Sequence, residues 1–170
     1  MKTFNYKKLS IALGSTLLLA GSLSVYAADY SGSFEGRISQ QDGLPIDLTG
    51  QHVMALGLSS GINNSTGNMD YFNDGDIVVT DIVDIVNGTG THSGYWTVSK
   101  NGETVTNKLT GKMTTVLAPD GKTPMTSIEG TFANVYGTGV HATIHPIGTY
   151  KVTFTSPTEY VSEWEVTGFE

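Results

Sequence analysis

The residue best suited to chemistry is Asp81, which lies within the apolar run of residues 76–86. If this run is a β-strand, alternate side chains face the same side. Asp81 then shares its face with four apolar residues, Ile77, Val79, Val83 and Ile85. A carboxylate on an apolar, inward face carries a large desolvation cost unless it is paired. Asp81 is therefore predicted to be a general base or an interior hydrogen-bonding group, unless a register break near Thr80 returns it to solvent.

A cluster of oxygen-bearing side chains precedes the same run, in the sequence DYFNDGD. Its members are Asp70, Asn73, Asp74 and Asp76. Calcium takes carboxylate and amide oxygens as ligands, and Gly75 permits a sharp turn among them. The spacing departs from that of an EF-hand loop, because no glutamate follows at the required distance. The cluster predicts a calcium site, with an acidic turn that binds no metal as the alternative.

Other familiar catalytic and metal-binding patterns are missing from the sequence. It contains no Gly-x-Ser-x-Gly elbow, no phosphate-binding loop and no dinucleotide fingerprint. Among the four histidines, His52, His92, His141 and His145, the spacing argues against a zinc site. His141 and His145 would lie about 13 Å apart along a strand, unless the chain folds back at Pro146. Their alternation with apolar residues predicts that both are exposed, and no cofactor is predicted.

Aromatic residues are spread over most of the predicted strands. In a β-barrel, the inward-facing ones would line a single interior space. Phe132 and Tyr136 share their alternation with Ile128, and Trp164 shares its alternation with Tyr160. The rings then either fill a packed core or line an apolar cavity whose polar contacts are few. For such a cavity, the predicted ligand-binding residues are Phe34, Trp96, Phe132, Tyr136, Tyr160 and Trp164.

The elements that would position these residues are β-strands. No stretch shows a sustained period of 3.6 residues, and Gly, Thr, Val and Tyr are abundant. The predicted strands are residues 30–38, 51–58, 76–86, 92–99 and 104–117, and three more between residues 127 and 169.

The connections complete the predicted topology. Asn87-Gly88 and Asn101-Gly102 predict tight hairpin turns, and Gly137-Thr138-Gly139 is the strongest turn of the C-terminal third. Residues 41–45 are predicted to turn, and residues 59–67 to form a mobile loop. Eight strands at this spacing predict an all-β fold, an eight-stranded antiparallel up-and-down β-barrel, with a β-sandwich as the alternative.

The N-terminal segment predicts export from the cytoplasm. Three lysines precede an apolar run over residues 9–25, and Ala27 follows, as is typical of a secretory signal peptide. We predict cleavage after Ala27, a single β-barrel domain over residues 28–170, and a periplasmic or extracellular location. Ser22 stands where a lipoprotein would carry its cysteine, so no lipid anchor is predicted.

Charge and cysteine content exclude several classes of partner and site. Residues 28–170 contain all 16 acidic residues and six of the nine basic ones, a net charge of −10. This charge argues against binding to nucleic acid or to anionic membrane surfaces, and no membrane insertion is predicted. The chain has no cysteine, so disulfides, thiolate metal sites and cysteine nucleophiles are all excluded. A small apolar molecule is the predicted partner.

Glycine-led pieces punctuate the second half of the chain. They are Asn73-Asp74-Gly75-Asp76, Asn87-Gly88-Thr89-Gly90, Gly130-Thr131-Phe132, Gly137-Thr138-Gly139 and Gly148-Thr149-Tyr150. With this run, residues 70–170 resemble the β-barrel family that includes the allene oxide cyclases and dirigent proteins, and in particular its secreted bacterial branch of unknown function. The chain departs from that pattern at Val140-His141, where an aromatic residue is usual, and at His145-Pro146, where a glycine is usual.

The resemblance implies an eight-stranded calycin-like barrel with a cavity for an apolar ligand. It also implies a homo-oligomer, since the plant members are often dimeric or trimeric. The catalytic residues of the plant enzymes match no positions in this sequence, so the resemblance does not carry cyclase activity to this chain.

Three functions are compatible with these observations. The leading hypothesis is a secreted or periplasmic barrel that binds a small apolar or amphipathic molecule without covalent chemistry. The second is an isomerase or cyclase that uses the same cavity, with Asp81 as acid or base and water excluded by the barrel. The third is a structural or interaction protein with a filled barrel, acting through its acidic surface or through residues 59–67.

Overall fold

The computed structural model describes residues 30–66 and 72–170, so the predicted signal peptide lies outside the described residues. Within this part of the chain, no helix is long and apolar enough to cross a membrane. The described residues form eight strands and one 3₁₀ turn. The strands are β1 (Ser31–Pro45), β2 (His52–Thr66), β3 (Gly75–Val86), β4 (Thr89–Lys100), β5 (Glu103–Leu117), β6 (Pro124–Gly137), β7 (Pro146–Phe154) and β8 (Glu159–Phe169), and the 3₁₀ turn is Gly139–His141.

The eight strands close into a single barrel. Each strand pairs antiparallel with the next one in the chain, and β8 pairs with β1 to complete the ring. The predicted eight-stranded antiparallel up-and-down barrel is confirmed, and the sandwich alternative is wrong. Closure gives each of these strands a partner on both sides, which removes the free edges that favour aggregation.

Two of the predicted tight turns are present as expected. Asn87 and Gly88 have φ angles of 52° and 78°, and Asn101 and Gly102 have φ angles of 53° and 83°. Positive φ at both central residues is the signature of a two-residue hairpin loop whose twist matches the flanking strands. The Asn-Gly pairs therefore determine the β3–β4 and β4–β5 hairpins.

The loop predicted for residues 59–67 is wrong over residues 59–66, which form the second half of β2. This half pairs with both β1 and β3. Its inward polar side chains find partners in the interior: Ser59 Oγ lies 2.6 Å from the Tyr160 hydroxyl, and Asn63 Nδ2 donates to the Phe72 carbonyl at 3.0 Å. Polar composition does not exclude a buried strand when its polar groups are hydrogen-bonded.

Two predicted turns are also replaced by other structures. Residues 41–45 belong to β1, after a register shift between Ile38 and Gln40. Gly137-Thr138-Gly139 does not form a two-residue hairpin, because β6 ends at Gly137 and the 3₁₀ turn follows. The seventh strand then begins at Pro146, which has no N–H to donate to a ladder. His141 is consequently buried rather than exposed as predicted, and its ring centroid lies 4.5 Å from that of Phe72.

A layer of aromatic rings fills the middle of the barrel. The Trp96 ring centroid lies 5.3 Å from Phe132, 5.7 Å from Trp164 and 5.9 Å from Phe34. All four side chains are buried. Ring pairs at these separations add to the stabilisation that burial alone provides. The layer also divides the interior into a larger space on one side and a smaller one on the other.

Three of the wide rings fit inside this barrel because each lies against a glycine on the neighbouring strand. The paired residues are Gly36 and Tyr160, Gly32 and Trp164, and Gly148 and Phe132. A Cβ built on any of these glycines would lie 2.5 Å from an atom of the paired aromatic side chain. Glycine is therefore required at these positions, because any side chain there would overlap the ring. Glycines leave space for larger side chains in the cavity wall in the same way.

Candidate functional site

The larger interior space is a cavity that opens at one end of the barrel. Ile38, Met113 and Phe154 line both this cavity and an outer vestibule among residues 123–126 and 155–157. About 70 Å³ of the cavity can be reached by the centres of water molecules. One water needs about 10–15 Å³ on this measure, so the enclosed part admits about five waters or a chemical group of similar size.

The cavity lining is mainly apolar, with few polar groups. Asp81 is the one aspartate or glutamate in the lining, and no lysine or arginine among the described residues joins it. The other polar side chains of the lining are Gln41, Ser59, His92, Tyr150, Tyr160 and Ser162. An apolar cavity with a small number of convergent polar groups is typical of small-molecule sites.

Three of these polar side chains form a hydrogen-bonded chain in the cavity wall. His92 Nε2 lies 2.9 Å from Asp81 Oδ2, and His92 Nδ1 lies 2.7 Å from the Tyr150 hydroxyl. His92 is 3% exposed, whereas the Asp81 side chain retains 25% exposure to the open part of the cavity. We assign the hydrogen bonds from these contacts: His92 donates its Nε2–H to the Asp81 carboxylate, and its Nδ1 accepts the Tyr150 O–H.

Strand register explains how His92 and Tyr150 meet from strands that are not adjacent. His92 pairs with Gly111, Gly111 pairs with Gly130, and Gly130 pairs with Tyr150, in one row across β4, β5, β6 and β7. A Cβ on Gly111 or Gly130 would lie 2.6 or 2.8 Å from the Tyr150 hydroxyl oxygen. The two glycines thus leave the space in which the imidazole and the phenol form their hydrogen bond.

Asp81 occupies its position for a similar reason. It pairs with Gly57 on one side and with Gly94 on the other. A Cβ on Gly57 would overlap Asp81 Oδ1. Two flanking residues without side chains leave room for the carboxylate in a wall that is otherwise apolar, and Asp81 points inward with Val79 and Val83, as the alternation of β3 predicts.

A second polar pair lies in the same cavity. The Tyr160 hydroxyl is hydrogen-bonded to Ser59 Oγ at 2.6 Å, and both residues are buried. Burial raises the pKa of Tyr160 to about 12, and the negative charge of Asp81 adds to the rise. Burial and the same carboxylate also raise the pKa of Tyr150 well above its ordinary value. Both phenols therefore stay protonated and act as hydrogen-bonding groups at neutral pH.

The aromatic residues predicted to bind a ligand divide among three places. Phe34, Trp96 and Tyr160 line the cavity. Phe132 and Trp164 belong to the ring layer and border the smaller space instead. The prediction that Tyr136 faces inward is wrong, because the β5–β6 register shifts between Thr106 and Asn107, and Tyr136 is 58% exposed.

The acidic cluster before β3 is described only in part, since Asp70 lies outside the described residues. Asn73 Nδ2 donates to Asp74 Oδ2 at 3.2 Å, and the Asn73 carbonyl accepts a hydrogen bond from Lys100 Nζ. Asp76 is exposed on β3. Within residues 30–66 and 72–170, no three His, Asp, Glu or Cys side chains are grouped so that they could hold a metal ion. The calcium site stays a prediction.

Sequence analysis did not identify three residues of the cavity wall as site residues. Ser59 was assigned to a loop, His92 was considered only as a metal ligand, and Tyr150 was not selected among the aromatic residues. A usable signal existed for His92 and Tyr150, because each lies an even number of residues from apolar residues that face inward on its strand, as His92 does from Trp96 and Val98 of β4. For Ser59, no comparable signal is present, since its burial depends on Tyr160 from β8.

Comparisons with known proteins add no assignment. No protein-family model matches the chain, and no curated protein or solved structure matches it significantly.

Proposed function

We propose that this barrel binds a small molecule that has an apolar body and a polar group at one end. The observation that carries the proposal is the open apolar cavity with the Asp81–His92–Tyr150 chain in its wall. Burial of the apolar body would supply the affinity, at about 25 cal/mol for each Å² removed from water. The polar chain would select and orient the group that reaches it.

The dimensions of the site favour a ligand that enters by one end. The enclosed volume is small, and the vestibule continues it past Ile38, Met113 and Phe154. A ligand larger than a few heavy atoms would place its polar end beside Asp81 and leave the rest between the apolar side chains of the mouth. The predicted signal peptide and the resemblance to allene oxide cyclase and dirigent barrels support a role outside the cytoplasm with an amphipathic ligand.

The first experiment is native mass spectrometry of the protein purified from its own source, with organic extraction of any bound molecule. A matched pair of variants locates the site. Ala55 is buried in the cavity lining, so Ala55→Phe should fill the mouth. Met54 directly precedes Ala55 on β2 and points outward with 39% exposure, so Met54→Phe is the control.

We expect a stoichiometric adduct on the wild type and on Met54→Phe, and its loss from Ala55→Phe. An adduct that survives Ala55→Phe unchanged would place the ligand outside the cavity. If the wild type and both variants show the mass of the protein alone, and bind no molecule from an extract of the same cells, the proposal is overturned in favour of an interaction protein with a filled barrel.

The hydrogen-bonded chain favours a second candidate function, proton transfer within a bound ligand. Asp81 would remove a proton from one position of the ligand and return it to another, which is an isomerisation with no net change in composition. His92 would hold the carboxylate in place, and the barrel would keep water away from the intermediate.

This candidate is tested in D₂O with the extracted ligand. A ligand that exchanges hydrogen for deuterium only in the presence of the protein, and not with Asp81→Asn, would support proton transfer. Equal exchange with Asp81→Asn would remove Asp81 from the mechanism and leave the binding function as the single proposal.

A further inference from the structure

We propose that the polar end of the ligand is a cation, a primary or substituted ammonium group, held between the Asp81 carboxylate and the aromatic rings of the cavity. This inference rests on the proposed binding function and specifies the class of ligand. It follows from the charge, the hydrogen bonding and the ring content of the cavity wall.

The cavity wall carries a negative charge without a cation to balance it. Asp81 is its one carboxylate, and the described part of the lining contains no lysine or arginine. The two ring nitrogens of His92 are both engaged, by Asp81 and by Tyr150. A partly buried carboxylate that keeps its charge is stabilised by a cation brought into the cavity.

One carboxylate oxygen is available to that cation. Asp81 Oδ2 accepts the hydrogen bond from His92, while Oδ1 has no hydrogen-bond partner among the described residues. Oδ1 fills the space that a side chain at Gly57 would take, and the Asp81 side chain keeps 25% exposure in the cavity lining. A carboxylate oxygen only accepts hydrogen bonds, so the matching ligand group is a donor, and a charged donor forms a bond roughly twice as strong as a neutral one.

The rest of the lining suits an ammonium group better than another charged donor. Phe34, Trp96, Tyr150, Phe154 and Tyr160 line the cavity. Three of these rings are in contact, since the Tyr160 ring centroid lies 5.6 Å from Phe154 and 5.9 Å from Phe34. Aromatic faces attract cations through the ring quadrupole, most strongly where water is displaced. A guanidinium group would bring five donors to a wall with few acceptors, whereas an ammonium group needs at most three.

The charge of the whole domain acts in the same direction. Residues 28–170 have a net charge of −10, which raises the local concentration of small cations and lowers that of anions. This field is not specific to the cavity, so a test must separate binding at Asp81 from weak binding to the acidic surface.

The test uses two probes of nearly equal shape, benzylamine, which is a cation at neutral pH, and benzyl alcohol, which is neutral. Their dissociation constants are measured by NMR titration of the ¹⁵N-labelled protein, with the amide of Gly57 reporting on the site. Three proteins are compared: the wild type, Asp81→Asn, and Glu35→Gln. The last removes the same charge from the exposed face of β1, so it controls for the acidic surface.

We expect the wild type and Glu35→Gln to bind benzylamine about tenfold or more tightly than benzyl alcohol, as a charged hydrogen bond implies. Asp81→Asn should lose this preference and keep its affinity for benzyl alcohol. The cation inference would be overturned if the wild type bound the two probes with equal affinity. It would also be overturned if Asp81→Asn kept the preference for benzylamine. Either result would leave the proposed binding function standing. The wild-type comparison needs no variant, so a folding defect cannot obscure it. Binding of neither probe at the cavity would overturn both proposals.

Discussion

Substitution of Gly36 by alanine should destabilise the barrel through a single side chain, Tyr160. Gly36 on β1 pairs with Tyr160 on β8. A Cβ on Gly36 would lie 2.5 Å from the Tyr160 hydroxyl oxygen and still closer to the ring carbon that bears it. The ring has little freedom to move away, because it packs against Phe34 and Phe154 and its hydroxyl is hydrogen-bonded to Ser59.

The expected cost is about 3 kcal/mol in the free energy of unfolding. Overpacking of a well-packed core costs about 1–3 kcal/mol. Displacement of the ring also breaks the buried hydrogen bond to Ser59, for about 1–2 kcal/mol. Replacing glycine by alanine in a strand returns about 0.5–1 kcal/mol, because the unfolded chain loses conformational freedom.

The assay is urea unfolding at equilibrium, followed by circular dichroism and tryptophan fluorescence, with the midpoint compared at constant slope. Gly43→Ala is the matched control, since it lies on the same strand and its Cβ would meet only Val53 Cγ1 at 3.8 Å. We expect Gly43→Ala to be neutral or slightly stabilising. If Gly36→Ala is no less stable than Gly43→Ala, the account of glycine as space for the ring is refuted.

A double-mutant cycle separates the ring from the backbone as the source of the effect. In a Tyr160→Leu background the ring is absent, so Gly36→Ala should cost about 2 kcal/mol less than in the wild type. An undiminished cost would assign the effect to the strand backbone instead.

Three further predictions concern buried polar groups. The raised pKa of Tyr160, about 12 against an ordinary 10.0, means that the unfolded chain releases this proton first. Tyr160 should therefore leave stability unaffected below pH 10 and lower it by about 3 kcal/mol between pH 10 and 12. The raised pKa of Tyr150 lowers stability further over the same range, so a flat unfolding midpoint would contradict the prediction. His92→Leu leaves the Tyr150 hydroxyl without its partner and should lower the free energy of unfolding by about 1–3 kcal/mol. Adding Tyr150→Phe should restore part of this loss, and a double variant that shows no recovery in urea unfolding would argue against the hydrogen bond. Asn63→Ala removes the acceptor of the Trp164 indole N–H, which it binds at 3.1 Å. The free energy of unfolding should fall by about 1–3 kcal/mol in the same assay, and an unchanged midpoint would show that the bond contributes nothing.

Local sequence patterns were sufficient for much of the fold. The alternation of apolar residues in β3 predicted which side chains face inward, Asp81 among them, because a strand has a period of two wherever its register is unbroken. The Asn-Gly pairs predicted two hairpins, because few other residue pairs adopt positive φ twice in succession. These features depend on residues close together in the chain.

The same patterns failed where the outcome depended on a distant strand. Tyr136 has the inward alternation in the sequence, but the register shift at Thr106 reverses its side, and nothing within β6 signals that shift. Residues 59–66 have loop composition, yet they form a strand because Tyr160 and Phe72 hydrogen-bond with Ser59 and Asn63. A polar residue can be buried only when its partner is present, and the partner is supplied by the tertiary fold.

By itself, the sequence determined an all-β chain of eight strands and the acidic charge of residues 28–170, and it offered an inward Asp81 with a register break as the alternative. Only the tertiary structure decided that Asp81, His92 and Tyr150 form one chain. His92 and Tyr150 are 58 residues apart, and they meet because Gly111 and Gly130 stand between them in a row of four paired strands. Such a row exists only once the barrel has closed with a particular register, since a shift of one residue would turn each of these side chains to the opposite face.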